Sequence, residues 1–142
     1  MSRLTPFLET VEGLHGRVYG AAQLTKLVEA NTLGQVSPAA YTLPLGVSGG
    51  AATAVTGIYR QEVEWLDGVV LVVKVAGDLT GAKAVEQIEP LIMATILAIA
   101  GQDAGDMIGT YRLAKGELFR LAAGVLSYQL DFAIEDQLRI VR

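Results

Sequence analysis

The chain has 142 residues, of which 51% are hydrophobic and 18% are charged, and its formal net charge is −4. This length fits one domain with its own core, spanning residues 1–142, and the composition excludes a disordered chain. The negative charge and the scattered basic residues exclude a nucleic-acid binder held by phosphate contacts. The absence of cysteine excludes disulfides, thiolate zinc sites and cysteine nucleophiles.

The first third of the chain predicts two helices and a brief strand. Thr5-Pro6 is typical of a helix start, with a hydroxyl N-cap followed by proline at the first helical position. A short strand is expected at Arg17–Tyr19. A helix is expected from about Ala21 to Ala30, and Asn31 can close it in the left-handed conformation.

No segment has the pattern of a secretory signal or a membrane span. The first residues carry acids and a proline where a signal peptide needs an unbroken apolar core. The most apolar run, Leu91–Ala100, has about half of the roughly 20 residues that span a bilayer. We therefore expect a soluble protein without membrane contact.

The next stretch predicts a strand followed by a loop. Ala39–Leu45 looks extended, and Pro44 restricts it to a sheet edge or to the last residues of a strand. Gly46–Thr56 contains only small or apolar uncharged residues and three glycines, which is typical of a mobile loop.

The centre of the chain, Gly57–Ala76, predicts a β-hairpin. Asp67-Gly68 is the dipeptide that best tolerates the positive φ angles of a type I′ turn. The first arm alternates apolar and charged residues, whereas the second arm, Val69–Val75, is apolar on both faces except at Lys74. Such a strand is either covered on both sides or packs one face against another subunit.

The last part predicts a long helix and more antiparallel strands. A helix is expected from about Ala82 to Ala100, kinked at Pro90. Lys115-Gly116 suggests the turn of a second hairpin, and Leu126–Glu135 alternates cleanly as a strand. The fold class predicted from this order is α+β, with helices packed on a mostly antiparallel, mixed β-sheet.

Motifs of catalysis or metal binding are weak. His15 is the only histidine and is expected to be a solvated loop residue. Gly46–Gly50 lacks the lysine of a phosphate-binding loop. The pair Glu62 and Glu64 fits a charged sheet face better than a glycosidase pair, and Asp103 with Asp106 lacks the spacing of a calcium loop. We expect no catalytic residues, no metal and no cofactor.

Five stretches form a series that runs in order over nearly the whole chain. The first is Val18–Ala22 running into Leu24, and the second is SPAAYTLPLG, residues 37–46. The others are Gln61-x-Val63 ahead of the apolar strand, IEPLIMATIL (residues 88–97) and YQLDFAIE (residues 128–135). Together they resemble the tail terminator (tail completion) proteins of long-tailed phages of the Mu-like and lambda-like types.

The resemblance implies a structural virion protein that assembles as a six-fold ring on the tail tube. Such a ring ends tube polymerisation and joins the neck, so the implied partners are other copies of the chain, the tail tube protein and a neck or head-completion protein. It also implies a location in the tail and neck, with assembly in the host cytoplasm, and a phage or prophage origin.

A closed ring needs two different complementary surfaces on each subunit. Candidates are the apolar strand Val69–Val75, the edge strand Ala39–Leu45 and the glycine segment. The residues that we expect at the interface are Arg60, Glu62, Glu64, Lys74, Gly46, Gly49 and Gly50. Two alternatives stay open: a protein-interaction module that pairs through a β-edge without forming a ring, and a small-molecule binder or enzyme.

Overall fold

The computed structural model describes residues 2–78, 80–105, 107–122 and 124–142. Within these residues one five-stranded sheet has the order β1-β2-β3-β5-β4. The strands are β1 (Val18–Tyr19), β2 (Ala39–Val55), β3 (Ile58–Lys74), β4 (Arg112–Ala122) and β5 (Val125–Val141). The helices are α1 (Thr5–Leu8), α2 (Ala21–Glu29) and α3 (Ala82–Ile99). Among the strand pairs of the described residues, only β1 and β2 are parallel, which confirms the α+β fold with a mostly antiparallel sheet.

Helices cover both faces of the central part of the sheet. On one face, called the α3 face here, α1 and α3 pack against Val69, Leu71 and Val73. On the other, called the α2 face, α2 packs against Val70 and Val72. All five of these β3 residues are fully buried within the chain. The strand is therefore covered on both sides by its own chain, and the hypothesis that it forms a subunit interface is wrong.

The central hairpin predicted at Asp67-Gly68 is also wrong. Both residues lie inside β3, and the chain reverses instead at Thr56 and Gly57, whose φ angles are 42° and 77°. Asp67 is buried, and its carboxylate accepts hydrogen bonds from Arg3 and Tyr111. A Cβ at position 68 would lie 2.9 Å from Cδ1 of Leu45, so the glycine permits close packing. Contacts with residues far away in the sequence therefore explain this Asp-Gly pair, and a local turn does not.

Two further predictions fail because strands continue through glycines. The segment Gly46–Thr56 is no mobile loop, because residues up to Val55 continue β2 and pair with β3. Likewise β4 runs straight through Lys115-Gly116. A Cβ at Gly116 would lie 3.0 Å from Leu130, so this glycine also allows close packing. The reversal between β4 and β5 falls between Ala122 and Val125 instead.

The helix predictions fare better. α2 matches its predicted range, and Asn31 has the expected left-handed conformation, with φ of 54°. α3 matches as well and continues through Pro90. The predicted cap of the first helix is wrong, because Thr5 is already helical and no side chain within the described part of the chain caps α1.

Candidate functional site: an exposed arm and two sheet edges

Three strands extend beyond the part of the sheet that the helices cover. The last residues that belong to, or pack against, the two hydrophobic clusters under the helices are Leu43 of β2, Trp65 of β3 and Ile134 of β5. Beyond them lie residues 45–64 and 135–142, called the arm here, and most of their side chains are exposed. Its exposed large hydrophobic residues are Leu45, Val47, Val55, Leu138 and Val141. The arm therefore offers apolar surface away from the core.

The three glycines proposed at the interface lie at the two irregularities of β2. One register shift falls between Pro44 and Gly46, and the other between Gly49 and Ala52. Gly46 has φ of 146°, which side chains rarely adopt. A Cβ at Gly49 would meet the Gln61 amide at 2.5 Å. These glycines therefore permit the bulges, while their exposed backbone lies on the arm.

The proposed charged residues of β3 share the α2 face of the arm. Arg60, Glu62 and Glu64 alternate along the strand, and each side chain is exposed or half-buried. Two like-charged pairs oppose each other directly across β3 and β5: Arg60 faces Arg139, and Glu64 faces Glu135. Such pairs are destabilising within a sheet. Arg112 of β4 reduces the repulsion between Glu64 and Glu135, because it forms an ion pair of 2.8 Å with Glu64.

Lys74 lies apart from these residues. It ends β3 ten residues beyond Glu64, which is about 33 Å at the rise of a strand. Its backbone N–H donates to Oγ of Ser37 at 2.7 Å, and its exposed side chain passes Gly34. The structure thus brings six of the seven proposed residues together on the arm and leaves Lys74 at the opposite end of the sheet.

The sequence patterns do not predict a site at the opposite edge of the sheet, β4. All eleven of its residues are exposed. Its pairing with β5 places an apolar row on the α3 face at Leu113, Leu118 and Leu121. The α2 face carries a charged row at Arg112, Lys115, Glu117 and Arg120. The apolar and charged residues of β4 form a pattern that could have predicted this strand from the sequence. The turn predicted at Lys115-Gly116 interrupts that pattern.

A buried polar cluster, also not anticipated, fixes the N-terminal segment at the base of the arm. Nη2 of Arg3 lies 3.1 Å from Oδ2 of Asp67, and the Tyr111 hydroxyl donates to the same oxygen at 2.8 Å. The Arg3 guanidinium also lies 5.0 Å from the centre of the Trp65 ring. Burial, with the hydrogen bond to Asp67, raises the pKa of Tyr111 to about 12. Tyr111 therefore keeps its proton at neutral pH.

Groups with catalytic or metal-binding potential are sparse in the described residues. His15 is exposed and left-handed at the end of a 3₁₀ turn, as expected of a solvated loop residue. Within residues 2–78, 80–105, 107–122 and 124–142, no three acidic or histidine side chains cluster as metal ligands would. Asp106, half of the weak cation pair, lies outside the described residues. None of the described helices is long and apolar enough to cross a membrane.

The comparison with known families decides the identity. The family model described as phage tail terminator protein matches residues 4–142. The chain belongs to the phage tail terminator family. No curated protein sequence matches the chain.

Membership makes the terminator protein a structural component of a phage tail that interacts with other tail proteins. It also points away from an enzyme. The arm and the β4 edge carry the exposed apolar and charged groups described above.

Proposed function

We propose that this protein caps the phage tail tube as a closed ring of six copies. The ring ends tube polymerisation and presents the surface that joins the neck to the capsid. The observation that carries the proposal is the presence of two unlike exposed surfaces at opposite edges of one sheet, the β2 side of the arm and β4. A closed ring is built from such pairs of different surfaces, because each subunit meets one neighbour with each.

The proposed partners are further copies of the chain, the tail tube protein and a neck or head-completion protein. The protein assembles in the host cytoplasm and stays in the tail and neck of the virion, and it comes from a phage or prophage. The arm residues Arg60, Glu62 and Glu64, with the glycines of β2, lie at the interface between subunits. Lys74, at the other end of β3, contacts a different partner or surface.

Polymerising tail tubes supply the test. Tube protein assembled in the presence of the terminator is expected to give short tubes that carry one ring at an end, visible by electron microscopy. Tubes of unchanged length without rings would contradict the proposal. A stable monomer that binds one other protein in a 1:1 complex through its free edge would instead favour the interaction module.

A further inference from the structure

We infer that neighbouring copies join edge to edge: β4 of one copy pairs antiparallel with β2 of the next, with Leu118 opposite Val47. The sheet then continues from subunit to subunit through the assembly. The inference rests on the proposed function in one respect, since it assumes that copies of this chain meet in a ring.

Both edges have free backbone groups and compatible directions. β2 pairs with β1 only at Ala40 and Tyr41, so from Thr42 to Val55 its outer side has no strand among the described residues. β4 pairs only with β5 in the same described part of the chain. Since β2, β3, β5 and β4 alternate in direction, β4 runs opposite to β2. A neighbour placed beside β4 in the same orientation therefore continues the antiparallel pattern.

The two edges have the same irregular spacing, and this similarity sets the register. Each strand has two bulges, and bulges shift which residues point to which face. On β2 the α3-face positions are Pro44, Val47, Gly49 and Ala52. On β4, taken in the opposite direction, they are Leu121, Leu118, Gly116 and Leu113. Both series advance by three, two and three residues, so placing Val47 opposite Leu118 aligns all four positions on one face.

This register also pairs compatible side chains. On the α3 face the leucines of β4 lie beside proline, valine and small residues of β2, which continues one apolar row. On the α2 face Lys115 lies opposite Gly50, and Glu62 of β3 lies directly behind that glycine. Because Gly50 has no side chain, Lys115 can reach across it to Glu62. In the single chain Lys115 instead bonds the exposed Glu117 at 3.2 Å, an interaction of little stability.

A cavity beside the β2 edge fits the end of the incoming strand. The volume of this cavity is about 540 Å³. It opens where β1 ends, between Gly20, Pro44, Val47 and Trp65. The inferred register brings Leu121 of the neighbour to Pro44 at this cavity. Leu121 is 51% exposed in the single chain, and the cavity would bury it.

Disulfide trapping tests the register directly, because the chain has no cysteine of its own. Val47→Cys and Leu118→Cys change side chains that are 52% and 54% exposed, so both variants should fold. When the two single variants are mixed and oxidised, we expect covalent dimers that neither forms alone. A chain carrying both changes should give a ladder ending at the ring size. The next pair of opposed positions, Ser48 and Glu117, is tested in the same way with Ser48→Cys and Glu117→Cys. Opposed pairs along an antiparallel ladder alternate between hydrogen-bonded and non-hydrogen-bonded geometry, so the two tests together include both geometries.

The matched control is Val47→Cys mixed with Leu113→Cys, which the register separates by five residues, or about 17 Å. We expect at least about tenfold less cross-linking there, because a disulfide requires Cα atoms closer than about 7 Å. Lys115→Glu should weaken assembly, and adding Glu62→Lys should restore it. Rings that form without cross-links at both predicted pairs, or with equal cross-linking in the control, would overturn the edge pairing while leaving the ring intact. Neither rings nor cross-links, even with tail tubes present, would contradict both proposals.

Discussion

Tyr111 donates a 2.8 Å hydrogen bond to the carboxylate of Asp67 in the middle of β3. Arg3 binds the same carboxylate from the N-terminal segment, with its side chain about one-third exposed. These two contacts connect three distant parts of the chain at the point where the sheet extends beyond the helices. This connection gives the base of the arm a fixed position relative to the core.

Replacing Asp67 should destabilise the fold. Asp67→Ala removes the acceptor for both partners and leaves the buried Tyr111 hydroxyl without its strongest hydrogen bond. We expect a loss of about 2–4 kcal/mol in the free energy of unfolding, measured by urea denaturation. Glu89→Ala, on the exposed side of α3, is the control and should stay within about 0.5 kcal/mol. Equal stability of the two variants would show that the cluster does not hold the fold.

The raised pKa of Tyr111 predicts that the free energy of unfolding falls at alkaline pH. Its pKa is about 12 in the folded chain and about 10 when unfolded, so the folded state holds the proton more tightly. The stability from this proton is complete below pH about 10 and is lost as the pH rises to about 12. Tyr111→Phe should be less stable at neutral pH and should lose less stability over this interval. Thermal melting across pH 8–12 measures both effects, and parallel curves for the two proteins would contradict the prediction.

Gly68 should be intolerant of a side chain. Gly68→Ala places a Cβ 2.9 Å from Cδ1 and 3.2 Å from Cγ of Leu45, whose side chain is 38% exposed and has to move, and this overpacking should cost about 1 kcal/mol. Gly20→Ala is the control, because a Cβ there meets no described atom within 4 Å and the backbone φ of −97° suits alanine. Since Gly20 is the N-cap of α2, this control should itself lose only about 0.5 kcal/mol. Denaturant midpoints of the two variants measure the difference. A Gly68→Ala protein as stable as Gly20→Ala would show that the contact with Leu45 relaxes freely.

The acidic residues of the arm should affect assembly more than folding. Replacing both Glu62 and Glu64 with lysine removes the solvent-exposed ion pair between Arg112 and Glu64, but it also removes the repulsion between Glu64 and Glu135. The monomer should therefore keep its melting temperature within a few degrees. Rings should weaken, because charges at an interface select the partner and the register. Glu86→Lys with Glu89→Lys, on α3, carries the same change of charge and serves as the control. Light scattering across protein concentrations compares them, and rings that persist unchanged in the arm variant would remove these glutamates from the interface.

The sequence was informative where local patterns were uncontested. The alternation of Leu126–Glu135, the apolar stripe of α3 and the left-handed Asn31 all have local causes, and the structure confirms each element. The two apolar faces of Val69–Val75 also indicated correctly that the strand needs cover on both sides, although its own helices supply that cover.

The wrong turn and loop predictions share one physical cause, which is that glycine occurs both in turns and at close contacts between strands. At Gly68 and Gly116 the glycine admits a neighbouring side chain within a continuous strand. At Gly49 it admits the Gln61 amide beside a bulge. These contacts join residues far apart in sequence, so no local pattern reveals them. The β4 edge is hidden for the same reason. A turn at Lys115-Gly116 would divide the strand, and its apolar and charged rows are recognisable only along the whole strand.

The most direct test of the account is the mass of the purified protein across concentration, measured by light scattering on a sizing column, with electron microscopy of any large species. We predict a species of six times the chain mass that forms rings and binds the ends of tail tubes. A protein that stays monomeric at every concentration and does not bind tail tubes would contradict it.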